Sequence, residues 1–350
     1  MKKIICFILV FSLPGLARAD EKVYFADANL KAAVVEQLKI VFPGITDPNA
    51  AEMLELTELN PWAAGITDLT GIEHALNLNT LQLDINQISD ITPLAGLTKL
   101  TVLFLNDNLI SDPNALTGLT NLKELYINDN QISNILPLSS LINLEKLYLN
   151  HNQISDPNAL AGLTKLTELH LSNNQLGNIE VVGQLTNLTE LYLNFNQISD
   201  ITALKDPNKL TRLGLNNNQI TDIEPLAHLP LLTILQMNNN HIEDISPLAQ
   251  LMNLGEIYFL NNPLNAAAYC DYLPLIRNHN PAISINVDPQ PLFDDGSCDL
   301  IDLSVLAFYW LRNDCGPDNN WCDGADFDHS QTVDLVDFWN VSYCWMKNLQ

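Results

Sequence analysis

The chain has 350 residues, with 41 acidic and 16 basic side chains, and its formal net charge at neutral pH is -25. Hydrophobic residues make up 47% of the sequence, which is enough to build an extended core. This acidic excess repels phosphate backbones and anionic lipid surfaces, so it argues against nucleic acid and anionic membranes as partners.

Residues 1–19 have the order of a secretory signal peptide. Met1, Lys2 and Lys3 form a basic start, residues 4–13 are apolar, and a small residue, Ala19, ends the segment. A membrane anchor is the alternative, but the apolar run is too short to span a bilayer. We expect cleavage after Ala19 and export to the periplasm, the cell envelope or the extracellular space. The mature chain is then expected to be a monomer without a transmembrane anchor.

Residues 20–55 predict a helical N-terminal cap. The apolar residues of its first part share one helical face, and they are Leu30, Ala33, Val34, Leu38 and Val41. Asp27 is placed to cap this helix, and Asp47 followed by Pro48 predicts the start of a second short helix. We expect this unit to cover the first repeat, whose core would otherwise face water.

Residues 56–264 carry an internal repeat of 22 residues. Its first leucine recurs at Leu56, Leu78, Leu100, Leu122, Leu144, Leu166, Leu188, Leu210 and Leu232, and a partial unit starts at Leu254. From Leu78 onward each unit reads L-x-x-L-x-L-x-x-N-x-I, the signature of leucine-rich repeats. One unit cannot bury its own apolar face, so the units must stack. The predicted fold is an α/β solenoid, a horseshoe of leucine-rich repeats.

The spacing within one unit predicts its local structure. Leu125 and Ile127 are two residues apart and therefore point to the same, buried side of a short strand. An asparagine recurs where each strand turns away, at Asn86, Asn108, Asn130, Asn152, Asn174, Asn196, Asn218, Asn240 and Asn262. Buried backbone groups need partners there, so we interpret this column as structural. Pro93, Pro137, Pro225 and Pro247 share one offset and predict the start of a short helical segment on the convex side.

Two motifs resemble the internalin-type family of bacterial leucine-rich-repeat proteins. One is Phe25-Ala26-Asp27-Ala28-Asn29-Leu30 followed by Gly65-Ile66-Thr67-Asp68-Leu69-Thr70-Gly71-Ile72-Glu73, and the other is the recurring Asn-Gln-Ile-Ser-Asp-Ile of residues 86–91 and 196–201. The resemblance covers residues 23–287. It implies an exported protein whose concave face binds partners, often other proteins. We expect this chain to lack the wall-anchoring domains of the best-known members, so the resemblance does not extend to a virulence role.

The repeat pattern ends after residue 264. Residues 265–287 predict a capping segment with a helix that closes the far end of the solenoid, and residues 288–292, rich in proline, predict a short stiff linker.

Residues 293–350 form a different module with a predicted calcium site. Oxygen-bearing side chains recur with the spacing of a twelve-residue EF-hand loop, at Asp326, Asp328, Ser330, Thr332, Asp334 and Asp337. A helix is expected to follow directly. An earlier, weaker copy offers Asp295, Asp299 and Asp302, because Pro291 and Phe293 stand at its first two ligand positions. The alternative reading of residues 326–337 is a solvated acidic turn, and Gln331 stands where the loop prefers glycine.

The duplicated loop and helix resemble a dockerin, the module that docks into cohesin domains. The resemblance implies calcium-dependent docking to a cohesin-like partner. The segment that holds Cys315, Trp321 and Cys322 resembles a variant found in planctomycete-type secreted proteins.

Five cysteines remain after signal removal, and four of them lie in this module. Because an exported compartment permits disulfides, we favour Cys315–Cys322, and Cys298–Cys344 is a further pair; the sequence leaves the connectivity open. Cys270 is then a buried small apolar residue. Zinc is the rival interpretation, but no paired CxxC motif supports it.

One outward-facing position per repeat predicts an aromatic stripe on the concave face. Phe104, Tyr126, Tyr148, His170 and Tyr192 occupy this position in consecutive repeats, with strands about 4.8 Å apart. The flanking columns carry Glu124, Lys146, Glu168, Glu190 and Arg212 on one side and Asp107, Asp129, His151 and Phe195 on the other. Such a surface suits a protein ligand or a carbohydrate. The alternative is that the rings only cover the sheet.

Catalysis is not predicted. Glu168 and Glu190 are neighbours, with His151 and His170 nearby, but a glycosidase needs carboxylates in opposed environments across a cleft. The sequence instead indicates a secreted interaction protein with a ligand on the concave face. The alternative is a structural spacer in the envelope without a specific ligand.

Overall fold

The fold is described by a computed structural model in which residues 21–265 and 267–288 are placed. The predicted signal peptide, the calcium ligands and the cysteines at 298, 315, 322 and 344 lie outside the described residues. The linker beyond Asp288 also lies outside them, as does the side chain of Cys270.

Eleven short strands form one parallel sheet in which strand order follows chain order. They are β1 Glu58–Leu59, β2 Thr80–Gln82, β3 Val102–Phe104, β4 Glu124–Tyr126, β5 Lys146–Tyr148, β6 Glu168–His170, β7 Glu190–Tyr192, β8 Arg212–Gly214, β9 Ile234–Gln236, β10 Glu256–Tyr258 and β11 Ser284–Asn286. From β2 to β10 the register shift between neighbours equals the repeat, so Leu103 pairs with Leu125 and Leu125 with Leu147. Equivalent residues therefore form straight columns, as expected of a solenoid.

Each repeat returns on the other side through a short 3₁₀ helix. These helices are Ile72–His74, Thr92–Leu94, Asn114–Gly118, Leu136–Ser140, Asn158–Leu160, Glu180–Gln184, Thr202–Lys205, Glu224–His228 and Ser246–Gln250. The four prolines predicted to start such segments occupy the first or second helical position. A fixed φ suits that position, and the amide that proline lacks would have no intrahelical partner there.

The core is one continuous column of aliphatic side chains. Within a single unit, Leu122, Leu125, Ile127 and Ile132 are all fully buried. Burial of each such side chain contributes roughly 1.5–3 kcal/mol relative to exposure. Because every unit repeats this set, the hydrophobic energy of the fold is spread along its axis and is not concentrated in one centre.

Two helices, α1 Ala28–Leu38 and α2 Ala50–Met53, precede β1. Asp27 is the N-cap of α1, as predicted, and its carboxylate accepts hydrogen bonds from the backbone amides of Asn29 and Leu30. Leu30, Val34 and Leu38 are buried in the same core as the repeats. The prediction for Val41 is wrong, because α1 ends before it and leaves that side chain 52% exposed.

The predicted start of α2 at Asp47 and Pro48 is also wrong. The N-cap is Asn49, which forms a capping box with Glu52: the Asn49 side chain accepts from the Glu52 amide, and the Glu52 carboxylate accepts from the Asn49 amide. Asp47 instead accepts a hydrogen bond from Lys31 Nζ at 2.6 Å. A reciprocal box satisfies two helix-end amides, so it fixes the start of the helix two residues later.

The far end combines a helix with one more strand. A single wide turn, Ala268–Tyr272, leads into α3 Leu273–His279, and β11 then pairs with β10. The sequence indicated the helix and missed β11, whose leucine pattern has decayed. Asp288, assigned to the linker, accepts a hydrogen bond from the Asn261 amide at 2.6 Å and so belongs to the solenoid.

The asparagine column is structural, as predicted. Asn130 is buried; its Oδ1 accepts from the Ile110 amide at 3.0 Å, and its Nδ2 donates to the carbonyls of Leu105 and Asn128, both at 2.9 Å. The same contacts recur from Asn86 to Asn262. Each asparagine therefore joins its own turn to the backbone of the preceding unit and satisfies groups that the strand ladder leaves unpaired.

Candidate functional site

The aromatic side chains of five neighbouring strands form a continuous stack on the strand face. The ring centroids lie 4.5 Å apart for Phe104–Tyr126, 4.6 Å for Tyr126–Tyr148, 4.0 Å for Tyr148–His170 and 4.6 Å for His170–Tyr192. These separations follow the spacing between adjacent strands. The predicted stripe of five rings is thus present, and we call it the aromatic stripe.

The rings of the stripe cover one another's faces. Phe104 and Tyr126 are almost parallel, at 7°, and the angles along the next two pairs are 30° and 25°. The inner rings, Tyr126, Tyr148 and His170, therefore each have a neighbour on both faces. What they present outward is their edges and the tyrosine hydroxyl groups, and these edges carry the positive side of the ring quadrupole.

Carboxylates accept hydrogen bonds from the tyrosine hydroxyls. Tyr126 donates to Glu124 at 2.7 Å, and Tyr148 donates to Glu168 at 2.5 Å. Burial and the adjacent carboxylate raise the pKa of both tyrosines. Burial opposes ionisation of Glu168, but hydrogen bonds from Tyr148 and from Lys146 outweigh it and lower the pKa of that carboxyl. The edge of the stripe is therefore an ordered, negatively charged surface at neutral pH.

His170 is the fourth ring of the stripe and is in its neutral form at neutral pH. Burial lowers its pKa to about 4, although Glu168 opposes this shift. Its Nε2 atom is buried and has no hydrogen-bond partner among the described residues. His170 and Tyr192 border a shallow recess of about 380 Å³, which also includes Asp129 and His151. The recess offers the carboxylate of Asp129 to a ligand side chain, whereas the buried Nε2 of His170 is out of a ligand's reach in this conformation.

The stripe ends where the column contains a glycine. A Cβ atom on Gly214 would lie 2.6 Å from Cδ1 of Tyr192 and 2.8 Å from Nδ2 of Asn194, so the tyrosine ring occupies the space of the missing side chain. The hydroxyl of Tyr192 accepts a hydrogen bond from Arg212 Nε at 3.1 Å. The last ring is accordingly tilted by 41° relative to His170.

A second polar column, which the sequence analysis missed, runs beside the stripe. It contains Asp84, Asn106, Asn128, Asn150, Ser172, Asn194, Asn216 and Asn238, and each side chain accepts a hydrogen bond from the backbone amide of the equivalent residue in the next repeat. Its recurrence every 22 residues was visible in the sequence. Only the structure shows that it separates the stripe from the outer flanking column.

The outer flanking column occupies a left-handed turn. Asp107, Asp129, His151 and Phe195 have φ between 53° and 55°. Asp and Asn tolerate this conformation better than apolar residues do. Phe195 is 54% exposed and lies beyond the polar column, so the structure places it at the margin of the predicted site and outside the stack.

Asp84 is the one carboxylate in the second polar column, and its replacement gives a pH-dependent prediction. It is 8% exposed, and burial raises its pKa despite a 2.8 Å hydrogen bond from the Asn106 amide. The pKa of Asp84 is higher in the folded than in the unfolded chain. The stability that its protonated carboxyl contributes is therefore fully present below the unfolded pKa and is lost as the pH rises through the folded pKa. Asp84→Asn should therefore stabilise the chain by about 0.5–2 kcal/mol at neutral pH.

The measurement is urea unfolding of both chains between pH 3 and pH 7, conditions that span the ordinary pKa of an aspartate. The stability difference should vanish at the acidic end. Asp90→Asn is the matched control, because Asp90 is exposed and the change removes the same charge. An equal gain from both replacements would attribute the effect to net charge instead of burial.

The arrangement does not resemble an acid–base catalytic centre. Glu168 and Glu190 pair across neighbouring strands of the exposed strand face, and the pKa of Glu168 is lowered, whereas a general acid needs a raised one. Within residues 21–265 and 267–288, no group of three or more His, Cys, Asp or Glu side chains is placed to hold a metal ion. The geometry instead suits recognition.

Comparison with known proteins defines the class. The family described as Leucine Rich repeats (2 copies) matches residues 120–162, 164–206 and 208–250, and the family described as Leucine rich repeat matches residues 76–132. No curated protein sequence matches the chain. The fold and these matches define a leucine-rich-repeat protein.

Three solved structures show which type of leucine-rich-repeat protein this chain is similar to. Internalin C2 of Listeria monocytogenes is 35% identical; the match covers 67% of this chain and 94% of that one, with a TM-score of 0.52. An internalin (inlF) of the same organism is 29% identical over 75% and 91% of the two chains, with a TM-score of 0.51. A leucine-rich-repeat protein of Leptospira interrogans is 28% identical over 63% and 57%, with a TM-score of 0.58.

The chain belongs to the internalin-type leucine-rich-repeat proteins. Proteins of this type are interaction proteins and not enzymes. None of the helices in the described residues has the length and apolar character needed to cross a bilayer.

Proposed function

We propose that this chain is an exported interaction protein that binds a polypeptide partner on its strand face. The observation that carries the proposal is the stack from Phe104 to Tyr192, with its ordered carboxylates. Large, rigid aromatic side chains are preferred anchors in protein interfaces, because they bury much area and lose little conformational entropy. The stacking holds the rings in place before the partner arrives, which lowers the cost of binding.

The exposed ring edges favour a polypeptide over a carbohydrate. Sugar rings pack on aromatic faces, but both faces of Tyr126, Tyr148 and His170 are covered by neighbouring rings. Edges, hydroxyls and carboxylates can instead accept apolar and basic side chains of a protein. The recess bordered by His170 and Asp129 offers one place for such a side chain.

The test is a triple replacement of Tyr126, Tyr148 and Tyr192 by alanine. A partner is first captured from the extracellular and envelope fractions of the source organism with the exported chain, and its affinity is then measured by calorimetry. Tyr126 and Tyr148 are inner rings of the stripe and should be central anchors. The triple variant should therefore bind the partner about 30-fold more weakly or worse, which corresponds to about 2 kcal/mol. Circular dichroism checks that the solenoid remains folded.

Tyr258→Ala supplies the matched control. Tyr258 occupies the same column and donates to Glu256 at 2.8 Å, but Gly214 and Gln236 separate it from the stack. Its loss should change affinity less than the single change Tyr148→Ala. If the triple variant binds every captured partner as tightly as the parent chain, the stripe only covers the sheet and the spacer alternative is favoured.

We further propose that residues 326–337 bind calcium and that residues 293–350 act as a docking module. The support is the spacing of the oxygen ligands, which matches a calcium loop. Capture by the exported chain is repeated with calcium and with a chelator, and again after Asp326 and Asp328 are changed to alanine. A docking partner should be lost in both cases, while binding to the strand face persists. A partner set that is indifferent to calcium and to both changes would reject the docking role.

A further inference from the structure

The two flanks of the solenoid differ in charge. On the flank that follows the strands, aspartates recur at Asp68, Asp90, Asp112, Asp156, Asp200, Asp222 and Asp244, and each accepts a hydrogen bond from the backbone amide two residues later. From Asp90 onward this amide belongs to the first residue of a 3₁₀ helix, and the aspartates account for part of the acidity. The net charge of the whole chain therefore does not describe its opposite flank.

The flank that precedes the strands carries a row of lysines, which we call the lysine flank. Lys99, Lys165 and Lys209 share one column, Lys123 stands in the adjacent column, and all four are exposed. A groove of about 540 Å³ runs along this flank and is lined by Asn79, Lys99, Thr101, Asn121, Lys123, Asn143, Glu145 and Lys165. Glu145, which forms an ion pair with Lys123 at 3.4 Å, is the one carboxylate among these lining residues, so the groove keeps a net positive charge in an acidic protein.

Asparagines hold three of these lysines in place. Lys165 Nζ donates to Asn143 Oδ1 at 2.7 Å, and Asn143 Nδ2 in turn donates to the carbonyl of Thr120 at 2.9 Å. The same relay positions Lys99 through Asn77 and Lys209 through Asn187. An ammonium group has three donors, so two remain for a ligand after this contact. The entropy cost of ordering the lysine chains is thereby reduced before binding.

The spacing of the cations indicates the charge density of the ligand. Lys99 and Lys209 are five repeats apart, which is roughly 24 Å at about 4.8 Å per strand. Duplex DNA carries one charge about every 1.7 Å of its axis, a far denser array than four lysines match. Between the lysines the groove presents amides and a hydroxyl, from Asn79, Asn121 and Thr101. These groups complement hydroxyl-rich sugars that bear an occasional carboxylate.

We propose that the lysine flank binds a linear, carboxylated polysaccharide that lies along the solenoid axis. The ammonium groups pair with its carboxylates, and the intervening amides contact its hydroxyls. This site is separate from the aromatic stripe and does not depend on the polypeptide partner. Because the cations are exposed, binding should weaken strongly as salt is added.

The test uses the exported chain and polygalacturonate as the probe, with dextran as the neutral control polymer. Lys99, Lys123 and Lys165 are changed together to glutamine, which keeps much of the side-chain length and removes three charges. The matched variant changes Lys22, Lys39 and Lys205 to glutamine as well. These three lysines are exposed and lie outside the lysine flank, so the matched variant loses the same three charges. We expect the flank variant to lose at least tenfold in affinity and the matched variant less than twofold, with unfolding midpoints unchanged.

Three results would overturn the proposal. If both triple lysine variants lost the same affinity for polygalacturonate, the effect would come from the net charge of the chain and not from the lysine flank. If dextran bound as tightly as polygalacturonate, the carboxylates of the polymer would have no role in recognition. Equally tight binding of single-stranded DNA or of poly-glutamate, with the same lysine dependence, would assign a general polyanion surface. The triple tyrosine variant should still bind polygalacturonate, because its changes lie on the strand face. This measurement separates a failure of the lysine-flank proposal from a failure of the strand-face proposal.

Discussion

Replacing Asn130 by alanine should lower the free energy of unfolding by about 2–4 kcal/mol, a large loss for one polar side chain. The side chain is buried and joins two repeats. Its removal leaves the Ile110 amide without its acceptor. The carbonyls of Leu105 and Asn128 each lose one of two donors and keep the other, which is Asn108 Nδ2 for Leu105 and the Asp107 amide for Asn128. A buried amide left unpaired costs about 1–3 kcal/mol, and each further hydrogen bond that is lost costs about 0.5–1.5 kcal/mol.

The measurement is urea unfolding followed by far-ultraviolet circular dichroism, with Asn121→Ala as the control. Asn121 is exposed and donates one hydrogen bond, to the carbonyl of Thr98 at 2.8 Å. Its replacement should cost about 0.5 kcal/mol or less. If the two variants lost similar amounts, the column would owe its presence to something other than backbone satisfaction. Hydrogen exchange should place the weakened amides in the repeats on either side of residue 130.

Replacing Gly214 by alanine should lower the free energy of unfolding by about 1–3 kcal/mol, the usual cost of overpacking. The new methyl group would overlap the ring of Tyr192 and the amide of Asn194. Asn194 cannot move freely, because its Oδ1 accepts from the Asn216 amide at 2.8 Å. The tyrosine ring must therefore leave its position, and its hydrogen bond from Arg212 should break.

Gly96→Ala is the control for this change. A Cβ at Gly96 meets no atom within 4 Å, so alanine should be neutral there or slightly stabilising. Partner affinity adds a second readout: Gly214→Ala should weaken binding to the stripe, and Gly96→Ala should not. A Gly214→Ala chain as stable as the parent would mean that Tyr192 has another position of similar energy.

The repeat made much of the fold predictable. Leucines such as Leu122 and Leu125 recur at a fixed period, and their burial follows because a solenoid gives every unit the same surroundings. The column of Tyr126 and Tyr148 followed from the same period, since parallel strands in fixed register align equivalent residues. Membership of the internalin-type family was also indicated by motifs in the sequence.

Local rules failed where several residues competed for one role. Asp47 and Asn49 both suit an N-cap, and the reciprocal contact with Glu52 decides for Asn49. At the other end, Ile285 lies on a strand that pairs with β10 although the leucine motif has ended. A strand without the motif is formed because the edge of β10 offers unpaired backbone groups.

By itself, then, the sequence determined the architecture and the identity of each column, because a strict 22-residue period leaves one register that buries the leucines of the repeat motif. Only the tertiary structure decided how neighbouring columns act on one another. It turned the faces of the rings between Phe104 and Tyr192 toward each other and left their edges for a partner. It also brought Lys99, Lys123 and Lys165 to one groove on the flank opposite the aspartates. Such relations depend on distances between side chains of different repeats, which a one-dimensional pattern does not contain.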